Sequence, residues 1–133
     1  MAEAFQFSLV SPERELFSGA VTQVDAPGIE GDFGVLAHHA PFMTTLKPGV
    51  VRIFEDAVVT PVFVRGGFAD VTPAGFTILA EEAVRLADVN AADLDTKIAN
   101  ARADANDPGN EARRKAGAEQ LAYLEAIKAA LAA

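Results

Sequence analysis

The residues best able to do chemistry lie between positions 28 and 42. His38 and His39 stand side by side, Glu30 and Asp32 precede them, and Gly28, Gly31 and Gly34 space the segment. Two imidazoles suggest a metal site or a general base. Adjacent side chains on extended backbone point to opposite faces, so both rings cannot easily reach one ion, and no His-x-His pair is present. Glu30, Asp32 and the His pair read as one glycine-rich loop, an arrangement open to acid–base work, but nothing in the chain supplies a nucleophile or an orienting partner. The glycines lack the Gly-x-Gly spacing of a phosphate cradle, no Gly-Lys-Ser/Thr follows, and the next segment reads as strand. Arg113-Arg114-Lys115 could grip a phosphate or an acidic partner, although such runs ordinarily form a solvated helix face. With no cysteine in the chain, disulfide frameworks, zinc ribbons, iron–sulfur clusters and thiol nucleophiles are excluded. The expectation is a chain with no catalytic residue and no metal.

The elements that must position these residues follow from composition. The 133 residues allow one domain with a small appendage. At 50% hydrophobic and 23% charged, the chain is globular rather than disordered. Its net charge of −8 would repel a phosphate backbone or an anionic lipid surface, so neither nucleic-acid binding nor direct lipid insertion is expected. No apolar run approaches the roughly 18 residues of a membrane span, and Met1-Ala2-Glu3-Ala4 lacks the basic flank of a signal peptide. A chain that stays soluble where it is made is the expectation.

The two ends of the sequence are written differently. Every Phe lies within the first 76 residues, whereas from Ala87 onward 16 of 47 residues are Ala and Val occurs only at Val89. Strands first and helices second are expected, divided at 1–86 and 87–133. Phe5-Gln6-Phe7-Ser8-Leu9 alternates apolar and polar, as a half-buried strand must. Further runs at Val21 to Ala26, Phe33 to Leu36, Phe42 to Leu46, Val50 to Phe54, Val58 to Arg65, Phe68 to Val71 and Phe76 to Ala80 are each closed by turn residues. The spacing predicts an antiparallel β-sandwich or barrel of about 8–10 short strands. Pro61 should place its run at an edge or a bulge.

In the tail, Asn90 with Asp93 marks a helix start near Ala91. Leu94, Ile98, Ala101 and Ala105 form an apolar stripe that ends before the turn Asn106-Asp107-Pro108-Gly109. Asn110 caps a second helix with the stripe Ala118, Leu121, Leu124, Ile127 or Lys128, and Leu131. Folded antiparallel, Leu94 and Ile98 would meet Leu124, Ile127 and Leu131, and Ala101 and Ala105 would meet Ala112 and Ala116. This apolar surface is small for the length of chain ordered, so the hairpin should lean on the sandwich or on a partner and act as a movable arm.

The stretch from Ala26 to Phe42, reading APGIEGDFGVLAHHAPF, resembles the signature loop of the epsilon subunit of bacterial rotary ATP synthases. Phe17-Ser18-Gly19-Ala20-Val21, Thr44-Thr45-Leu46-Lys47-Pro48-Gly49-Val50 and Gly66-Gly67-Phe68 fit the same family in order, and the resemblance covers essentially the first 86 residues. It implies a non-catalytic central-stalk subunit that passes rotation of the c-subunit ring to the alpha/beta head through gamma. It implies contacts to the c ring at Glu30, Asp32 and His39, and contacts to gamma at Ser11 and Thr44. A place at the cytoplasmic face of the bacterial inner membrane is implied too, with contacts to alpha and beta through the hairpin.

In some members of that family the hairpin closes on ATP through an Ile/Leu-Asp-x-x-Arg-Ala motif. Here the segment reads Leu94-Asp95-Thr96-Lys97-Ile98-Ala99. Asp95 and Ala99 match, but Ile98 replaces the arginine and offers no guanidinium to a phosphate, so no cofactor is expected. Two other functions remain open at this point: an ATP-sensing inhibitory regulator, and a stand-alone β-sandwich that binds a ligand through the Glu30 to His39 loop.

Overall fold

The computed structural model describes residues 3–132. The chain divides into two compact units, 1–87 and 88–133. The first holds ten strands: β1 (Phe5–Val10), β2 (Glu15–Val21), β3 (Gln23–Gly28), β4 (Gly31–Val35), β5 (Phe42–Leu46), β6 (Gly49–Glu55), β7 (Val58–Val64), β8 (Gly67–Thr72), β9 (Gly75–Ala80) and β10 (Ala83–Arg85). The second holds α1 (Ala91–Ala105) and α2 (Glu111–Ala132), after a 3-10 turn at Leu86–Asp88.

Strand order is β10-β7-β6-β3-β5-β8-β9-β1-β2, with β4 pairing β3 beside this path. The sheet curls into a barrel-like sandwich as Arg85 of β10 donates from its guanidinium to the Leu16 carbonyl of β2. Alternation in β1 buries Phe7 and Leu9, which join Leu16, Val24, Ile53 and Ile78 in one core. The rings of Phe17, Phe7, Phe76, Phe33 and Phe42 form a chain through the unit, with successive centroids 5.9, 5.2, 6.4 and 5.3 Å apart. Close packing of this kind leaves the interior of the unit few voids into which side chains can move.

The β unit departs from the sequence reading in four places, the first being β2, of whose residues only Val21 fell in an expected run. The run Val21 to Ala26 belongs to two strands, broken at Thr22, whose hydroxyl donates to the Phe54 carbonyl and accepts from the Asp56 N–H. That corner is made by a partner more than thirty residues away, and local pattern carries no trace of it. β10 has three residues, too few to show a period. Finally, β1 and β9 run parallel while every other pairing is antiparallel; these strands are distant in sequence, so no tight turn has to join them. Pro61 is placed as its chemistry requires. It pairs with Arg52 on β6, and on its other side β10 stops at the Arg85–Val62 pair, so Pro61 lies on free edge. Gly67 marks a close approach: its φ is +138°, and an added Cβ would sit 2.1 Å from the Leu79 carbonyl oxygen.

In the helical unit both caps form as read. The Asn90 side chain accepts from the Asp93 N–H at 3.0 Å, and the Asn110 side chain from the Arg113 N–H at 2.9 Å. Leu94, Ile98 and Ala101 are buried on α1 and Gly117, Leu124 and Ile127 on α2. The small-residue end differs from expectation. Ala112, Ala116 and Ala118 are exposed, and Gly117 takes their place. A Cβ at Gly117 would lie 2.6 Å from the Ala105 backbone nitrogen, so the two backbones meet where only glycine fits. Leu131, read as part of the stripe, is 38% exposed because it lies beyond the last buried contact at Ile127.

Candidate functional site

The segment 26–42 is not one loop. Ala26, Pro27 and Gly28 are buried in β3, and the chain turns at Ile29-Glu30 into β4, with Pro27 opposite Asp32 and Gly28 opposite Gly31. Glu30 and Asp32 therefore project from a hairpin tip, where Asp32 lies 3.6 Å from the Lys47 ammonium. The His pair follows the far end of β4. From Asp32 to Val35 the strand alone spans about 10 Å at ~3.3 Å per residue. Glu30 and Asp32 are thus held apart from His38 and His39, and the acid–base grouping allowed by the sequence does not assemble.

Each histidine has its own partner. His38 has φ +64° and places Nε2 2.8 Å from a Glu3 carboxylate oxygen. In His39, Nδ1 lies 2.7 Å from the Ala40 carbonyl, which can only accept, so Nδ1 carries the proton. The His39 ring centroid is 6.2 Å from that of Phe42, which ties it to the aromatic chain of the core. A cavity of about 480 Å3 opens at this end, walled by Phe5, Leu36, Pro41, Pro73 and Phe76 with His38 at its rim.

The residues read as gamma contacts are more modest than expected. Ser11 is only 8% exposed, and its hydroxyl donates to the Arg14 carbonyl and accepts from the Arg14 N–H. It closes the turn after β1 and presents little to a partner. Thr44 is half-buried opposite Ala69, with its hydroxyl bonded to the Thr45 carbonyl. On the outward phase of the same strands runs a surface that the sequence reading missed. Register aligns Thr45, Phe68, Leu79 and Val10 across β5, β8, β9 and β1. Phe68 is 57% exposed, Leu79 56% and the neighbouring Met43 67%. The signal was available: Phe68 and Leu79 occupy the outward phase of strands whose inward phase is Ala69-Val71 and Ile78-Ala80.

The hairpin tip adjoins this apolar row, since the Ile29 N–H donates to the Thr45 carbonyl. The same end of the unit carries Glu13, Glu15, Glu81 and Glu82 together with Arg14, Lys47 and Arg65, of which Arg65 pairs with Glu82 and Lys47 with Asp32, so a rim of mixed charge borders the apolar face. In the helical unit, two of the three basic residues at 113–115 are taken up by the turn. Arg113 pairs with Asp104 and Asp107, both at 3.3 Å, and Arg114 donates to the Asp107 carbonyl. Ile98 is 6% exposed between the helices, and the Asp95 carboxylate accepts from Lys128 at 2.9 Å.

A ten-strand β unit followed by a two-helix hairpin is the architecture on which the likeness to known proteins bears. Residues 4–86 match the family model of the ATP synthase Delta/Epsilon chain β-sandwich domain, and the chain belongs to that family. It is 55% identical to the ATP synthase epsilon chain of Hyphomonas neptunium, over 99% of both chains, and 48% identical to that of Maricaulis maris, again over 99% of both. The epsilon chain of Caulobacter vibrioides is 67% identical over 82 residues, which are 61% of this chain and 94% of that one. Among solved structures, a chain of the Euglena gracilis mitochondrial ATP synthase, in a structure comprising OSCP, F1 and the c-ring, matches with a TM-score of 0.77 at 29% identity. That match covers 96% of this chain and 81% of the other.

Proposed function

We propose that this chain is a non-catalytic rotor subunit of the proton-translocating ATP synthase, a stiff body that couples rotation of the c ring to the alpha/beta head through gamma. The observation that carries the reading is the juxtaposition, at one end of a densely packed β unit, of an exposed apolar row and an acidic hairpin tip. The apolar row, Met43, Phe68 and Leu79, suits a close contact with gamma; Thr44, opposite Ala69, lies on the inward phase and Ser11 is nearly buried, so any contact they make with gamma would lie outside that row. Glu30 and Asp32 suit the polar loops of the c ring, where exposed charge sets register more than affinity. His39 lies at the other end of β4, so its contact would be separate from theirs. The chain would sit as a peripheral subunit at the cytoplasmic face of the inner membrane. No helix among the described residues is long and apolar enough to cross a membrane.

The helical hairpin is an addition to that body and could reach alpha and beta. The Caulobacter vibrioides relative, of which 82 aligned residues make up 94%, is too short to hold both units. A relative of that length supports the reading that coupling resides in the β unit and that the hairpin modulates. An ATP-sensing role for the hairpin finds little support in its geometry. Asp95 is engaged by Lys128, Ile98 is sealed in the interface, and Ala99 is exposed without a basic neighbour at the motif position.

The reading is tested by gel filtration with purified gamma. The full chain should comigrate with gamma at micromolar concentration, and Phe68→Ser with Leu79→Ser should abolish comigration while the fold persists. Failure of the unaltered chain to comigrate overturns the reading.

A further inference from the structure

We propose that the hairpin carries an ionic register latch, Asp95–Lys128, Arg102–Glu125 and Asp104–Arg113, which selects the alignment in which the two helices pack and loosens it when competing charge screens the pairs. The pairs lie at 2.9, 3.9 and 3.3 Å and all join α1 to α2. Read along α1, their charges run minus, plus, minus, and along the antiparallel α2 they run plus, minus, plus. Glu125 and Lys128 are three residues apart on one face of α2, so a slip of that size in either direction brings like charges together. One slip sets Asp95 against Glu125, and the other sets Arg102 against Lys128. Such alternation selects one register and penalises its neighbours.

Sterics enforce the same choice. Gly117 is the only glycine in either helix, and its Cα faces the Ala105 nitrogen and the Asp104 side chain at a distance that leaves no room for a Cβ. Any slip carries Gly117 away from that contact and pushes a larger residue into it. Glycine in mid-helix weakens the helix itself, so its presence here is explained by the contact rather than by propensity.

The latch differs from packing in one measurable respect. Its members are about half exposed, from 47% for Asp104 to 60% for Lys128, so salt reaches them, whereas Leu94, Leu124 and Ile127 are sealed. Exposed pairs weaken as ionic strength rises, since the screening length falls from about 10 Å at 0.1 M to about 3 Å at 1 M. The pairing of the two helices would therefore be loosened by competing charge, such as that of a charged partner surface, and not by a small molecule filling the interface.

Hydrogen–deuterium exchange on the full chain tests this. Raising sodium chloride from 20 mM to 500 mM should speed amide exchange in α1 and α2 and leave β1 to β10 unchanged. At low salt, Lys128→Ala should speed helical exchange about two- to fivefold, the range expected for losing one exposed pair. Asp95→Lys, which faces Lys128 with a like charge, should do so more strongly, and the swap Asp95→Lys with Lys128→Asp should restore protection. Helical exchange indifferent to salt and to both single variants overturns the latch. So does a swap that restores nothing, or protection that rises more with millimolar magnesium ATP than it falls with salt.

Discussion

The two units of this chain are held together by different physics. In the β unit, Phe7, Leu9, Ile53 and Ile78 are fully buried, and the chain of phenylalanine rings links strands from one side of the barrel to the other. In the helical unit, burial is limited to a single seam between two helices, supplemented by a glycine contact and exposed ion pairs. Removing one side chain from the first therefore disturbs many neighbours, whereas the second can part along one line. This difference fits the proposed roles of a body that carries torque and an arm that modulates it.

Substitutions can break or sharpen that contrast. The largest effect is expected for Phe7→Ala, which removes a ring in contact with Phe17 and Phe76 and should cost about 3–5 kcal/mol. Urea unfolding followed by near-ultraviolet signals from the β unit would report it, and a loss below about 1 kcal/mol would mean the core is far more plastic than its packing implies. Leu124→Ala should cost about 2 kcal/mol, at the low end for a buried leucine because the seam is open on both sides. Its loss should appear in helical circular dichroism, leaving the β transition where it was. If both transitions moved together, the units would not be separable in stability.

Gly117→Ala is a finer test. Alanine would favour the isolated helix by about 1 kcal/mol, but its Cβ would meet the Ala105 and Asp104 backbone, an overpacking cost of about 1–3 kcal/mol. A net loss of about 1 kcal/mol in helix stability is expected, and a gain would show that the helices move apart freely. Smallest for stability is Phe68→Ser on the outer face, expected within about 0.5 kcal/mol of the unaltered chain. Its effect should instead fall on gamma binding, which titration calorimetry would read. Preserved affinity would remove the apolar row from the contact.

Much of this architecture was legible because it is local. Alternation in Phe5 to Leu9 and in Phe76 to Ala80 marks strands directly, and Asn90 and Asn110 announce the helices through cap chemistry. What escaped depends on contacts between distant residues. Thr22 breaks a strand because Phe54 and Asp56 are there to bond it. Gly117 reads as a flaw in a helix until Ala105 is seen against it. The site divides the same way: the stretch from Glu30 to His39 was recognisable as special, but β4 runs through it and holds its acids and its histidines at opposite ends. Phe68 and Leu79 were in plain view as outward-phase apolar residues, and became a surface only when register set them side by side.

The most direct test of a coupling body with a dispensable arm is proton-driven ATP synthesis in vesicles holding the reconstituted enzyme, with this chain either whole or ended at Ala87. Unchanged synthesis rates with the shortened chain, together with loss of synthesis when Phe68 and Leu79 are both replaced by serine in the whole chain, are expected. Synthesis that fails on removal of the hairpin, or that survives disruption of the apolar row, would contradict it.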